Sequence, residues 1–179
     1  MSPLRAPPTS LLDKYLGAEA ELLYIGRVRV AGGEAAHGRA SGIVTSDDGA
    51  LEIALRLPVE LGGEGGGTNP EQLLAASYGA CFHGALVLLA ERSGVVLSDT
   101  VVEAAVTFAR DPVDGQFQLI AELGVSMPGI DRALAAELVR NTERLCPYAK
   151  MCRQGIKHRV TLAPEILDAA EEVVGGVKP

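Results

Sequence analysis

Three cysteines are the residues of this 179-residue chain best suited to redox chemistry. An odd number does not make a disulfide framework, and thiols that matter in a reducing compartment are usually catalytic, redox-active or metal-bound. Cys81 lies in a long apolar stretch, where a free cysteine is often plain core. Cys146 precedes Pro147 at the predicted end of a helix, where an exposed or mobile thiol is easy to arrange. Cys152 follows shortly after it.

A structural metal site is the weaker interpretation of these cysteines. The spacing between Cys146 and Cys152 is not a usual zinc pattern, and the only histidines are His37, His83 and His158. The glycine-rich segment 61–67 is not followed by the Lys-Ser or Lys-Thr of a phosphate-binding loop. We therefore expect neither a metal nor a cofactor.

Charge and length limit the partners and the number of domains. A formal net charge of −7 argues against nucleic acid or an anionic membrane as a partner, because phosphates would be repelled. The first residues lack a secretory signal, so we expect a cytoplasmic protein.

The length fits one domain. We divide the chain into an N-terminal arm (1–20), one domain (21–163), and a short C-terminal helix and tail (164–179).

The elements that must position the cysteines begin with strands. Alternation of apolar and polar residues predicts them, and turns at 46–49 and 114–115 suggest antiparallel pairing. We expect the first strand to pair with the second, and the third with the fourth. The predicted strands are 24–30, 51–57, about 100–109, about 116–126 and 156–162.

A long helix carries Cys81. Thr68 or Asn69 can cap its start, Pro70 suits the first turn, and the helix should run to about Arg92. A second helix at 131–145 ends at Cys146, and a short third one is expected at 164–174. The element order indicates an α+β protein with antiparallel hairpins.

The long helix is also unusually apolar. Between Glu71 and Glu91 it has no charged residue, a length that could cross a bilayer. Its many small and polar residues favour a helix buried on nearly all sides of a soluble protein instead. Small residues would let another helix come close, which predicts a partner subunit. These residues are Ala75, Ala76, Gly79, Ala80 and Gly84.

Two segments around the cysteines resemble one family. Residues 61–86, LGGEGGGTNPEQLLAASYGACFHGAL, resemble the signature of the organic hydroperoxide resistance proteins of the osmotically inducible protein C (OsmC) superfamily. Residues 127–148, MPGIDRALAAELVRNTERLCPY, look like the second cysteine segment of that family. The resemblance spans roughly residues 22–163. It implies an OsmC-like fold, with antiparallel sheets around a long buried central helix, and an intertwined homodimer.

The resemblance also implies a function and a set of site residues. It implies a thiol peroxidase for alkyl and lipid hydroperoxides, in which Cys81 attacks the peroxide and Cys146 resolves the product as a disulfide. Glu71 matches the active-site glutamate of the family, and Arg39 is the closest match to its arginine. A dithiol, such as dihydrolipoamide carried on a protein, would be the reductant. The alternative is a non-catalytic redox-sensing or binding module of the same fold.

The charged residues have a physical role in this scheme. A guanidinium about 4 Å from a thiolate, at an effective dielectric near 20, favours it by about 4 kcal/mol, which would offset burial of Cys81. Glu71 would hold Arg39 in place. Ten residues between Glu71 and Cys81 give about 15 Å of helix rise, so the helix begins later, bends, or Glu71 comes from a second subunit.

Other positions bear on the substrate preference or differ from the sequence pattern of the family. Lys150, Met151 and Cys152 are unusual after the second cysteine, and Glu143 and Arg144 stand in the neighbourhood of the usual alanine-histidine pair. Cys152 could compete as a resolving thiol, tune the disulfide, or be a buried bystander, which we favour. The side chains expected to form apolar walls for alkyl groups are Leu73, Leu74, Phe82 and Tyr148.

Overall fold

The computed structural model describes residues 15–34 and 40–162. A 3-10 turn at Val59–Leu61 precedes the first helix. The predicted α+β class is confirmed by the mixture of helices and antiparallel sheets. In chain order the elements are β1 (Val28–Ala31), β2 (Gly42–Ser46), β3 (Glu52–Leu55), α1 (Pro70–Arg92), β4 (Val101–Arg110), β5 (Phe117–Ser126), α2 (Arg132–Leu145) and α3 (Pro147–Gln154).

The first sheet has the order β1-β2-β3, with both pairs antiparallel. The predicted direct pairing of 24–30 with 51–57 is wrong, because β2 lies between β1 and β3 and pairs with both. β2 escaped prediction because its five residues, GIVTS, are too few to show a clear alternation. The predicted turn joins β2 to β3, where the amide N–H of Leu51 donates to Ser46 Oγ over 2.9 Å.

The glycine-rich loop returns the chain to β3 and sets the start of α1. The amide N–H of Thr68 donates to the carbonyl of Ala54 over 3.1 Å, and that of Arg56 to the carbonyl of Thr68 over 2.8 Å. A Cβ atom on Gly63 would lie 2.1 Å from the carbonyl oxygen of Leu57. Glycine is needed there because the two backbone segments approach so closely.

Helix α1 is the core helix of the fold. As predicted, Pro70 is its first residue, and the amide N–H of Gln72 donates to the Asn69 side chain over 2.9 Å. One face packs on β4, α2 and α3. Among the described residues, α1 alone is long and apolar enough to span a membrane, yet only 22% of its most apolar stretch is buried. The described residues therefore cover one face of α1 and leave the other open.

The hairpin of β4 and β5 forms the second sheet. Its predicted strands are confirmed, and Val102 stands opposite Val125. Val102 and Val125 pack against the buried residues of α1. At the far end of the same face, Phe117 and Leu119 remain 58% and 51% exposed, so residues 15–34 and 40–162 leave this part of the predicted apolar face uncovered.

The C-terminal part differs most from expectation. Helix α2 is confirmed, with Asp131 capping its start. The predicted strand at 156–162 is wrong: the described residues there form no strand, and Ile156 is 67% exposed. Instead, Pro147 starts α3, which was not predicted. The helix at 164–174 lies outside the described residues, as do residues 1–14, so the proposed domain division stays a prediction.

Candidate active site

Cys81 lies near the middle of α1 and is partly buried. The helix turns this residue towards the end of α2 and the start of α3, where Cys146 lies. The position follows from the apolar pattern of α1, since Tyr78 and Phe82 on either side of Cys81 are both buried. A cysteine at this point is part of the core and still borders the surface.

Cys146 forms the single-residue corner between α2 and α3. It ends α2 and caps α3, with an extended backbone at φ −67° and ψ 121°. Its N–H donates to the carbonyl of Thr142 over 2.8 Å, and its carbonyl accepts from the N–H of Lys150 over 3.1 Å. The side chain is 0% exposed. The expectation of an exposed thiol at this helix end is therefore wrong.

The two thiols are in contact. Cys81 and Cys146 are both free, and their Sγ atoms lie 3.4 Å apart. A disulfide needs about 2.05 Å, so a shift of little more than 1 Å would allow the bond. The buried side chains around the pair are apolar or aromatic. They include Tyr78, Phe82 and Ala149, and Tyr148 stacks on Tyr78 with ring centroids 6.2 Å apart.

The electrostatics of Cys81 are a balance of opposed effects. Burial raises the pKa of the Cys81 thiol, and so does the adjoining Cys146 thiol. The backbone N–H of Tyr148, in the first turn of α3, hydrogen-bonds Cys81 and lowers its pKa. Such N–H groups at a helix start favour a thiolate. The net pKa of Cys81 is raised, so the described surroundings alone favour the neutral thiol.

Tyr78 lies one helical turn before Cys81 and keeps its proton. Burial raises the pKa of Tyr78, and negative charge at Cys152, Cys146 and Glu143 would raise it further. The positive charge of Arg153 opposes this rise. The Tyr78 hydroxyl therefore stays a neutral hydrogen-bonding group beside the thiol pair.

Not all of the predicted site residues come together in the described chain. Glu71 lies in the first turn of α1 and is partly buried. Because α1 is unbroken from Pro70 to Arg92, the ten residues to Cys81 span about 15 Å, and a later helix start is excluded. Glu71 lines a separate cleft of about 420 Å³. Arg39 lies outside the described residues.

The remaining predicted residues also separate into those that lie beside the thiol pair and those that do not. Phe82 and Tyr148 pack beside the thiol pair, whereas Leu73 and Leu74 are not in that cluster. Cys152 is exposed on α3, so the expectation that it is buried is wrong. Within residues 15–34 and 40–162, no group of three or more His, Cys, Asp or Glu side chains is placed to hold a metal ion.

Sequence reasoning missed the contribution of α3. The Tyr148 N–H reaches Cys81 only because Pro147 begins a helix directly after Cys146. The available signal was the Cys-Pro pair, since proline suits the first position of a helix as well as the stop after one.

Comparison with known proteins places this fold and site in a family. Residues 63–161 match the family model described as OsmC-like protein. An organic hydroperoxide resistance protein of Xanthomonas axonopodis pv. citri is 38% identical over 150 residues, which cover 83% of this chain and 100% of that protein. The chain belongs to the OsmC-like family, in its organic hydroperoxide resistance branch.

Solved structures agree with this placement. The crystal structure of the organic hydroperoxide resistance protein OhrB of Bacillus subtilis is 37% identical, with a TM-score of 0.64, and the match covers 76% of this chain and 96% of OhrB. A Vibrio cholerae protein, described as a putative organic hydroperoxide resistance protein with captopril bound in one of its active sites, is 32% identical. Its TM-score is 0.67, with 76% of this chain and 90% of that chain covered. The expected OsmC-like fold is confirmed.

The opposed effects on Cys81 give a test of the local electrostatics. In a Cys152→Ser background, Cys146→Ala should lower the pKa of Cys81, because it removes a neighbouring thiol that raises this pKa. The rate of alkylation of Cys81 should then reach half its alkaline limit at a lower pH than in Cys152→Ser alone. Rates measured across pH, with the modified residue located by mass spectrometry, would check this. An unchanged or higher midpoint would contradict it.

Proposed function

We propose that this protein is a thiol peroxidase that reduces organic hydroperoxides, with Cys81 as the attacking thiol and Cys146 as the resolving thiol. The observation that carries the proposal is the 3.4 Å contact between the two Sγ atoms inside an apolar cluster. Relatives at 36–38% identity named organic hydroperoxide resistance proteins support the substrate class.

The reaction follows from the two thiols. The Cys81 thiolate attacks one oxygen of the O–O bond, which breaks, and the other oxygen leaves as the alcohol after it takes up a proton. Cys81 is then a sulfenic acid. Cys146 attacks this sulfur, the S–O bond breaks, water leaves, and the Cys81–Cys146 disulfide forms. A dithiol, such as dihydrolipoamide carried on a protein, restores both thiols by exchange and is itself oxidised.

The apolar surroundings favour alkyl and lipid hydroperoxides over hydrogen peroxide. Phe82 and Tyr148 border the thiol pair and offer contacts to a hydrocarbon chain. Burial of such a chain contributes about 0.8 kcal/mol per CH₂ group, and hydrogen peroxide has none to offer. This preference is therefore expected in the Michaelis constant as well as in the rate.

Cysteine variants test this function and separate it from redox sensing. Cys81→Ser should abolish turnover of cumene hydroperoxide with a dithiol, because it removes the attacking sulfur. Cys146→Ser should still consume one equivalent of peroxide to form the Cys81 sulfenic acid and a second as this becomes sulfinic acid, and then lose activity. The exposed Cys152 offers a matched control, and Cys152→Ser should keep wild-type turnover.

The redox-sensing alternative gives a different pattern. A sensor would form the disulfide once, with no sustained turnover for any dithiol tried. Wild-type protein that consumes no more than one equivalent of hydroperoxide with dihydrolipoamide or dithiothreitol would overturn the catalytic proposal. The cytoplasmic location stays a prediction.

Arg39 and Glu71 belong to the proposal as the thiolate-activating pair. The described surroundings raise the pKa of Cys81, so a fixed positive charge is what the site needs to form a thiolate near neutral pH. Arginine suits this role since it stays charged and pairs with a carboxylate through two hydrogen bonds. Glu71 lies too far along α1 to serve Cys81 of its own chain, so it would act on the site of a second subunit.

Substitution of Arg39 tests this role through the pH profile. Arg39→Ala should move the pH midpoint of Cys81 alkylation upward and slow peroxide reduction at neutral pH by about tenfold or more, since one pKa unit corresponds to tenfold in thiolate. Arg39→Lys keeps the charge and should recover part of the loss. Arg56→Ala, which removes another arginine of the N-terminal half, is the control. A midpoint unchanged in Arg39→Ala would exclude the role.

A homodimer completes the proposal because the part of the chain that the structure describes leaves one face of α1 open. Ala76, Ala80 and Gly84 lie exposed along that face, and Val87 and Leu88 beside them are 41% and 42% exposed. A second copy could approach the small residues closely, and its contact would bury the apolar ones. The same contact would bring Glu71 of one subunit nearer to Cys81 of the other.

A charge placed on this face tests the dimer. Ala80→Glu should convert the dimer to a monomer, because a carboxylate buried between two apolar helices has no partner there. Size-exclusion chromatography with light scattering measures the mass directly. Glu91→Gln, on the same helix, is a mild control and should remain dimeric. A wild-type protein that is monomeric at micromolar concentration would overturn the proposed dimer.

A further inference from the structure

The corner that holds Cys146 is bridged by one ion pair. Arg153 Nη1, on α3, donates to the backbone carbonyl of Glu143, on α2, over 3.0 Å, and to Glu143 Oε1 over 3.1 Å. The two residues lie on either side of Cys146, three positions before it and seven after it. We name this pair of contacts the Arg153–Glu143 clasp.

The carbonyl held by the clasp has no other helical donor. In an α-helix, the carbonyl of Glu143 would accept from the N–H four residues later, and that residue is Pro147, which has no N–H. Carbonyls at the end of a helix carry partial negative charge and favour a cation. Arg153 therefore donates to the Glu143 carbonyl the hydrogen bond that Pro147 cannot donate.

The geometry of the corner makes this bond relevant to the thiol pair. Cys146 is the single non-helical residue between α2 and α3, so the angle between the two helices sets where its Sγ lies. The clasp joins the last turn of α2 to the last turn of α3 and so adds a restraint on that angle. The positive charge of Arg153 also opposes the rise in the pKa of Tyr78, a residue that packs in the same buried cluster as Cys146.

We propose that the Arg153–Glu143 clasp positions Cys146 for the resolving step, in which it condenses with the Cys81 sulfenic acid. This inference rests on the proposed function of the same site. Condensation joins the two sulfur atoms and releases water. The competing reaction with a second hydroperoxide converts the Cys81 sulfenic acid to sulfinic acid and releases the alcohol. The clasp acts on the ratio of these two outcomes, and Arg153 is a positioning residue that touches neither substrate nor reacting atoms.

The test measures that ratio after a pulse of excess cumene hydroperoxide. Arg153→Ala should raise the amount of sulfinic acid relative to disulfide by about three- to tenfold, a modest effect because the two side chains are 41% and 53% exposed. The first, stoichiometric consumption of peroxide by Cys81 should keep its wild-type rate. Mass spectrometry separates the two products, and rapid-mixing kinetics give the first step.

Companion variants make the test specific to the clasp. Glu143→Ala keeps the backbone carbonyl and should give a smaller effect than Arg153→Ala. Arg153→Lys keeps a single charged donor and should recover part of the wild-type ratio. Lys150→Ala removes another exposed positive charge from α3 and should leave the ratio unchanged. Thermal denaturation of each variant measures any general loss of stability, and Arg153→Lys and Glu143→Ala carry the test if Arg153→Ala does not fold.

The outcomes that would overturn the proposal are distinct from a failure of the peroxidase function. A product ratio in Arg153→Ala equal to that in Lys150→Ala would overturn it, as would a slower first step with an unchanged ratio. If the wild type consumes no hydroperoxide, the proposed function fails, and the clasp is then tested by the rate of Cys81–Cys146 disulfide formation with diamide. A rate in Arg153→Ala equal to the wild-type rate would reject the clasp as well.

Discussion

The contact between two sulfur atoms 65 residues apart in sequence is the constraint on which the rest of this structure depends. Cys81 is held by α1, whose start is fixed by Pro70 and the Asn69 side-chain cap. Cys146 is held by the junction of α2 and α3, whose angle determines the position of one side chain. The β4–β5 hairpin supplies a surface against which α1 packs, together with α2 and α3.

The site also places two requirements in conflict. An apolar enclosure suits the hydrocarbon substrates of the proposed reaction and shields a sulfenic acid from water, but it disfavours the thiolate that this reaction requires. The first turn of α3 offsets part of this cost with the N–H of Tyr148. A catalytic role for Cys81 therefore calls for a further positive charge, and the proposed Arg39 is one that does not depend on pH.

Much of the fold could be predicted from the sequence, because α1, α2 and the β4–β5 hairpin are long enough for periodicity and caps to be read. Strand β2 was missed because it is short, and a strand was wrongly expected at 156–162 because alternation alone does not supply a neighbour to pair with. Helix α3 was not predicted because Pro147 was interpreted only as a residue that ends α2. The cysteine pair was predicted from the motif resemblance, because the position of Cys81 in an apolar helix predicts only a core residue.

The long sequence separation of the two thiols links redox state to conformational stability. A bond between Cys81 and Cys146 would close a loop of more than 60 residues in the unfolded chain, where they are 65 positions apart. Loss of that chain entropy stabilises the folded form by about 4 kcal/mol in the simple loop-closure model. The oxidised protein would then resist unfolding better than the reduced one. Each cycle of the proposed reaction would then alternate between a less stable reduced form and a more stable oxidised form.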